Sequence, residues 1–192
     1  MYAYMNYSLF YFFNHLAGHF DWIDDLMEIF AQDIVWIMLA VMVFLWFTGK
    51  ETNQKMVFYS FFSASVALLI ASMVISPMIN HARPFVEHHV LQLIPHAPDA
   101  SFPSDHATLA FSIAFSVLLV KRKLGIWMLL LAVVTGISRI YVGVHYPGDI
   151  AGAIVLSFFI SITVYKLNAF MDVIPLFFIR GYRDLTRRIF HS

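Results

Sequence analysis

Ser138-Arg139-Ile140-Tyr141-Val142-Gly143-Val144-His145-Tyr146-Pro147-Gly148-Asp149 joins the end of one strongly apolar run to the start of another. An arginine, a histidine and an aspartate fall within eleven residues at that junction. A charge at the end of a membrane span is unfavourable unless it has a partner or a task. Arg139 offers forked N–H donors for an oxyanion, and His145 a nitrogen that attacks or shuttles protons. Asp149 offers a carboxylate that fixes the imidazole tautomer. Those three roles describe a phosphate-handling site at the rim of a membrane.

The rest of the chain agrees with that rim. Of 192 residues, 60% are hydrophobic and 12% charged, and the mean hydropathy is +0.75. This points to a single-domain, all-α polytopic membrane helix bundle rather than a soluble core. Twelve basic residues balance twelve acidic ones, so net charge gives no basis for a nucleic-acid partner. With no cysteine, neither a disulfide framework nor a thiolate metal site is available. The first apolar run lacks a basic n-region and a small-residue cleavage site, which reads against a removable signal peptide.

Residues 1–30 mix aromatic and polar positions at helical spacing, as expected of one or two interfacial helices. About five transmembrane helices follow, at 31–49, 56–79, 104–120, 124–138 and 149–167, making 31–169 the membrane core. Residues 170–192 form a basic tail, expected as an interfacial cytoplasmic helix near anionic lipid. Ten of the twelve Lys and Arg residues (Lys50, Lys55, Lys121, Arg122, Lys123, Lys166, Arg180, Arg183, Arg187 and Arg188) then share one side, cytoplasmic by the positive-inside rule. Arg83 and Arg139 fall on the other side. Exceptions to the rule, they are assigned to chemistry.

Two more clusters sit at outer span ends: Asn80-His81-Ala82-Arg83-Pro84-Phe85 after the second span, and Phe102-Pro103-Ser104-Asp105-His106 opening the third. With the Ser138–Asp149 stretch, they make the chain resemble the type 2 phosphatidic acid phosphatase superfamily. Its motifs are Lys-x6-Arg-Pro, Pro-Ser-Gly-His and Ser-Arg-x5-His-x3-Asp. The third is complete in Ser138, Arg139, His145 and Asp149. The second has Pro103, Ser104 and His106, with Asp105 where glycine is usual. The first keeps Arg83 and Pro84 but has Ser76 in place of the lysine, for which His81 or Asn80 is a candidate substitute. Small size and the Pro-Ser-Asp-His variant are most similar to bacitracin-resistance undecaprenyl-diphosphatases.

The resemblance implies a metal-independent phosphatase without cofactor, acting on a polyprenyl diphosphate at the outer face of a bacterial inner membrane. His145 would be the nucleophile forming a phosphohistidine, Asp149 its orienting partner, and His106 the general acid and then base. Arg83, Ser104 and Arg139 would bind the phosphate. Each residue has a plainer reading. Ser104 and Asp149 are natural helix caps, the arginines could snorkel to headgroups, and single histidines are often just interfacial. The three ordered motifs favour the chemical reading. His15, His19, His88, His89, His96 and His191 match no motif and are read as surface or interfacial. Residues 85–93 are expected beside the lipid entrance. Asp105, unfavourable beside a phosphate, must turn away or bind a donor.

Rival readings are a phosphatase for another lipid, such as phosphatidylglycerol phosphate or phosphatidate, a histidine-rich membrane transporter using His81, His88, His89 and His96, and a non-catalytic membrane partner. Spans two to four carry no acidic or histidine ligands between their ends, which weakens the transporter, and the complete third motif opposes the non-catalytic reading.

Overall fold

The computed structural model describes residues 2–190, with side chains from residue 4 to residue 186. The side chains of Arg187 and Arg188, and all of His191, lie outside the described residues. All regular structure among them is helical. The order is α1 (Tyr2–Asn14), α2 (Asp21–Gln32), α3 (Ile34–Phe47), α4 (Glu51–Ile70) continuing through a wide turn (Ala71–Ile75) into α5 (Ser76–Ile79), and α6 (Pro84–Glu87). Then follow α7 (Asp105–Val120), α8 (Arg122–Tyr141), α9 (Pro147–Met171) and α10 (Val173–Phe190).

Three helical stretches, from Glu51, Arg122 and Pro147, are long and apolar enough to cross a membrane. The α2–α3 pair passes the same test as one span bent by 45°. The first span therefore draws on residues before 31, and the boundary expected at residue 30 falls inside α2. At 16 residues α7 is the short one. It is packed along its length, with Ala107, Ala110, Ile113, Ala114 and Val117 fully buried.

Serines explain how closely α7 and α9 approach. Ser112 and Ser116, one turn apart, donate to Ser157 and Ser161 at 3.0 and 3.3 Å, while Ser157 donates to the Thr108 carbonyl. Small residues let helix backbones approach in a bilayer, and hydroxyls bond across the seam. At the end of α4, Pro77 lacks an N–H and would crowd the carbonyl four residues back. The wide turn accommodates it: Ser76 N bonds to Ala71 O instead. Asn80 then stops the helix in the left-handed conformation (φ 42°), which asparagine tolerates.

The helices alternate in direction, so the two ends of the bundle differ. At one end Lys55 pairs with Asp172 at 2.9 Å, and Arg183 lies 3.5 Å from Glu51. Burial raises the Asp172 pKa, but the Lys55 hydrogen bond is the larger effect and holds it low. At the other end residues 80–104 meet the turn between α8 and α9, tied to it by Leu93 N to Val142 O and closed on themselves by Ser101 N to His81 O.

Candidate active site

The turn between α8 and α9 is built for rigidity. Gly143 follows the last turn of α8 with φ 85°, and a Cβ there would meet the Leu91 carbonyl at 2.4 Å. Glycine alone fits without strain. Val142, Val144, His145 and Tyr146 are all buried. Tyr146 caps α9 and Pro147 occupies its first turn, the position proline favours. Asp149, in that same turn, folds its carboxylate back onto Tyr146 N at 2.8 Å. The cap and the histidine share this carboxylate.

His145 is 2% exposed. Its Nδ1 faces Asp149 Oδ2 at 3.4 Å and Ser101 Oγ at 3.4 Å, while Ser101 Oγ donates a short hydrogen bond to Asp149 Oδ2. Its Nε2 lies 3.2 Å from Arg83 Nη1. A guanidinium only donates, so Nε2 accepts and the proton resides on Nδ1, the side of Asp149. Burial pushes the His145 pKa well below the ordinary imidazole range; Asp149 opposes this, and Arg139 and Arg83 reinforce it. The ring is neutral, with its lone pair at the far nitrogen.

Arg83 is 4% exposed. The following proline keeps its backbone extended. Its Nε donates to Asp99 Oδ1 at 2.8 Å and its Nη1 to Val144 O at 3.0 Å. Arg139 lies in the last turn of α8, which runs past the expected span end at residue 138, and is 2% exposed. Its Nη1 reaches Ala31 O at 3.4 Å, and its Nε and Nη2 have no partner among the described residues. Buried donors without acceptors are rare and unfavourable. Ser104 is fully buried and caps α7, its Oγ 3.5 Å from Ala107 N, so the start of that helix presents its positive end.

His106 lies in the first turn of α7, half-buried, with Arg139, His96 and Arg83 nearby. It borders a cavity of about 180 Å³ whose other walls include Val35, Trp36, Leu39, Leu68 and Leu109, from α3, α4 and α7. Asp105 is exposed, lines the same cavity as His106 and makes no ion pair among the described residues. Residues 85–93 do not line this cavity. Glu87 accepts from Tyr146 Oη, His88 stacks on Tyr7 at 4.1 Å, and Leu91 is held by Asn14. A separate cavity of about 420 Å³ opens at the opposite end, where Lys55, Tyr59 and Asp172 already satisfy one another. Among the described residues no three histidine or acidic side chains converge to hold a metal.

Residues 57–170 match the model of the PAP2 superfamily. The chain belongs to the PAP2 superfamily. It is 34% identical over 188 residues to the undecaprenyl-diphosphatase BcrC of Bacillus subtilis (strain 168), covering 98% of this chain and 93% of that protein. It is also 34% identical over 151 residues to the putative undecaprenyl-diphosphatase YbjG of Escherichia coli (strain K12), 78% of this chain and 76% of that one. The crystal structure of Aquifex aeolicus LpxE matches with a TM-score of 0.68 over 84% of this chain and 95% of that one; at 24% identity the likeness concerns the fold. The chain is thus a multi-pass, all-helical PAP2 membrane protein and a hydrolase by family.

The geometry adds residues to this PAP2 site that motif reading missed. Asp99 anchors Arg83, and Ser101 bridges His145 and Asp149. His81, named above as a candidate for the absent motif lysine, has its Nδ1 3.6 Å from Asp149 Oδ1, in ion-pair range but beyond a hydrogen bond. The Asp149 carboxylate raises the His81 pKa, and burial only partly offsets it. His96, taken as a surface residue, has its ring centre 6.1 Å from that of His145. The available signal was a run of prolines and polar residues, Pro95 to Ser101, leading straight into Phe102-Pro103-Ser104.

Proposed function

We propose that this chain is a membrane lipid phosphatase that hydrolyses undecaprenyl diphosphate to undecaprenyl phosphate and inorganic phosphate. The observation that carries the reading is the pairing of His145, proton on Nδ1 and lone pair on Nε2, with a buried Arg139 whose Nε and Nη2 have no partner among the described residues. Such an arrangement is complementary to an anion carrying an electrophilic phosphorus. The names of the relatives in Bacillus subtilis and Escherichia coli supply the lipid.

His145 Nε2 attacks the terminal phosphorus while the bond to the bridging oxygen breaks. His106 donates its proton to that oxygen, and undecaprenyl phosphate leaves. A substrate oxygen replaces Nε2 as acceptor of the Arg83 Nη1 proton, and another takes the free Arg139 donors. Asp149 holds the imidazole and offsets the charge that develops on it. Water, deprotonated by His106, then attacks the phosphohistidine, releasing phosphate and restoring His145. The largely apolar cavity beside His106 gives the prenyl chain a path into lipid on the leaving-group side. No step is assigned to a metal or cofactor.

The chain is placed in a bacterial inner membrane with this site on the extracytoplasmic face, because the basic loops gather at the other end. Within that single phosphatase domain, 1–30 is read as interfacial and 170–192 as the cytoplasmic tail. Release of inorganic phosphate from undecaprenyl diphosphate by purified protein, with and without chelator, tests the reading. Turnover of phosphatidate or phosphatidylglycerol phosphate in preference to the diphosphate would replace it with the alternative lipid.

A further inference from the structure

We propose that His96 is a third substrate-binding histidine, holding the phosphate that stays on the lipid and so selecting a diphosphate over a monophosphate. This rests on reading the site as a lipid diphosphatase. In-line attack places the transferred phosphorus in front of His145 Nε2, about 3–3.5 Å away in a near-attack pose. The retained phosphate then lies one bridging oxygen further from His145, past the groups that grip the first. It brings additional negative charge into a half-buried site and needs its own donor.

Few groups qualify. No lysine stands at this end of the bundle, and position 76, where the family motif has one, is serine. His81 sits at Asp149, on the Nδ1 side of His145, away from the attacking nitrogen. His88 packs on Tyr7. His106 is engaged with the bridging oxygen. Besides His145 and His106, the histidine with both Arg83 and Arg139 among its charged neighbours is His96.

Its placement is fixed rather than incidental. Leu93 N is tied to Val142 O on one side and Ser101 N to His81 O on the other, which pins the intervening segment over the site. His96 Nδ1 is 3.1 Å from Ala97 O, to which it donates, so Nε2 is the edge left for a ligand. The ring is 22% exposed and stands at 76° to that of His145. Asp99, 3.8 Å from Nδ1, balances the charge when a phosphate brings a proton onto Nε2 and makes it a donor. Asp99 also anchors Arg83, so the grips on the two phosphates share one carboxylate.

Titration calorimetry of detergent-purified protein with imidodiphosphate and with orthophosphate tests this without requiring turnover. The wild type binds imidodiphosphate more tightly. His96→Ala weakens imidodiphosphate about 10–100-fold, the value of a hydrogen bond to a charged group, and shifts orthophosphate less than about threefold. His96→Gln keeps a donor and recovers part of the loss; it also serves as the probe if the alanine variant fails to fold. With polyprenyl diphosphate as substrate, KM rises and kcat changes little. Equal weakening of both anions would mean that His96 only supports the His145 ring, and unchanged imidodiphosphate affinity would mean no contact; either result overturns the proposal. Absence of phosphate release from undecaprenyl diphosphate by the wild type would instead strike the proposed substrate and leave the anion ratio to judge His96.

Discussion

Replacing Arg139 by methionine should stabilise the free protein while nearly abolishing its activity. In the structure this guanidinium is buried at 2% exposure with one long hydrogen bond, 3.4 Å to Ala31 O, and two nitrogens without a partner among the described residues. An unsatisfied buried donor costs about 1–3 kcal/mol, more when charged, against about 1 kcal/mol gained from a bond such as that to Ala31. Methionine matches the alkyl stem and brings no polar atom, and apolar replacement of buried charge is often stabilising by about 1–4 kcal/mol. For a chain of this length each kcal/mol corresponds to a rise of about 2–4 °C in Tm. Loss of a donor aimed at the transferring group should lower kcat about 10²–10³-fold. Thermal unfolding in detergent, with and without saturating orthophosphate, separates the terms. Phosphate at 100 times its Kd adds about 2.7 kcal/mol to the wild type through binding linkage and should add far less to Arg139→Met. A fall in Tm for Arg139→Met without phosphate, with the phosphate increment intact, would refute the reasoning and make Arg139 a structural tie to α2.

Three further outcomes follow from the same geometry. His145→Ala should form no phosphoenzyme on any substrate, whereas His106→Ala, given a leaving group that departs without a proton, should show a burst and accumulate acid-labile phosphohistidine. Each acid–base role is worth about 10²–10⁴-fold, so single-turnover assays resolve them, and phosphate trapped in the His145 variant would reverse the assignment. Acid should destabilise the protein partly through His145: its folded pKa lies below the unfolded value of ~6.5, so the unfolded chain binds the extra proton and stability falls as pH drops below ~6.5. His145→Gln should lose less stability between neutral pH and pH ~4.5, and parallel curves would contradict the buried neutral imidazole. Cysteines placed at the exposed Val86 and Lys123 should label from opposite sides of intact cells with an impermeant thiol reagent, Val86 from outside; labelling of Lys123 alone would invert the topology.

What the sequence disclosed and what it hid follow from how far each signal travels along the chain. Hydropathy is local, so α8 and α9 lie within three or four residues of their expected ends. The motifs are local too: the four-residue spacing of His145 and Asp149 brings them together, while the approach of Arg83 to His145 was implied only by the family resemblance. The tertiary contacts of the N-terminal segment were not legible because its polar residues act at a distance. Asn14 Nδ2 donates to the Leu91 and Tyr141 carbonyls, Asp24 Oδ1 accepts from Tyr141 Oη, and Asn6 Oδ1 accepts from Gly148 N. Each is separated by more than 70 residues from its partner, a relation to which helical periodicity is blind. Polar positions of that segment thus also clamp it to the α8–α9 turn.

Those clamps bear on chemistry as well as fold. Gly148 N, bonded to Asn6, lies beside Asp149, and Tyr141 adjoins the buried run from Val142 to Tyr146 that carries His145. A nucleophile that must keep one nitrogen on a carboxylate and the other free for phosphorus tolerates little rotation of its backbone. The turn is short, and beside its own hydrogen bonds and those from Arg83 and Leu93 it is held by Asn6 and Asn14 of α1 and Asp24 of α2. This gives the first thirty residues a reason to pack on the site when the motifs themselves begin only near residue 80. Loosening that contact, as Asn14→Ala would, should therefore lower kcat in a phosphate-release assay without altering the order of preference among lipid phosphates, because the hydrogen bonds of Asn14 go to Leu91 and Tyr141 and none goes to Arg83 or Arg139, the proposed phosphate-binding groups; a changed lipid preference would refute this.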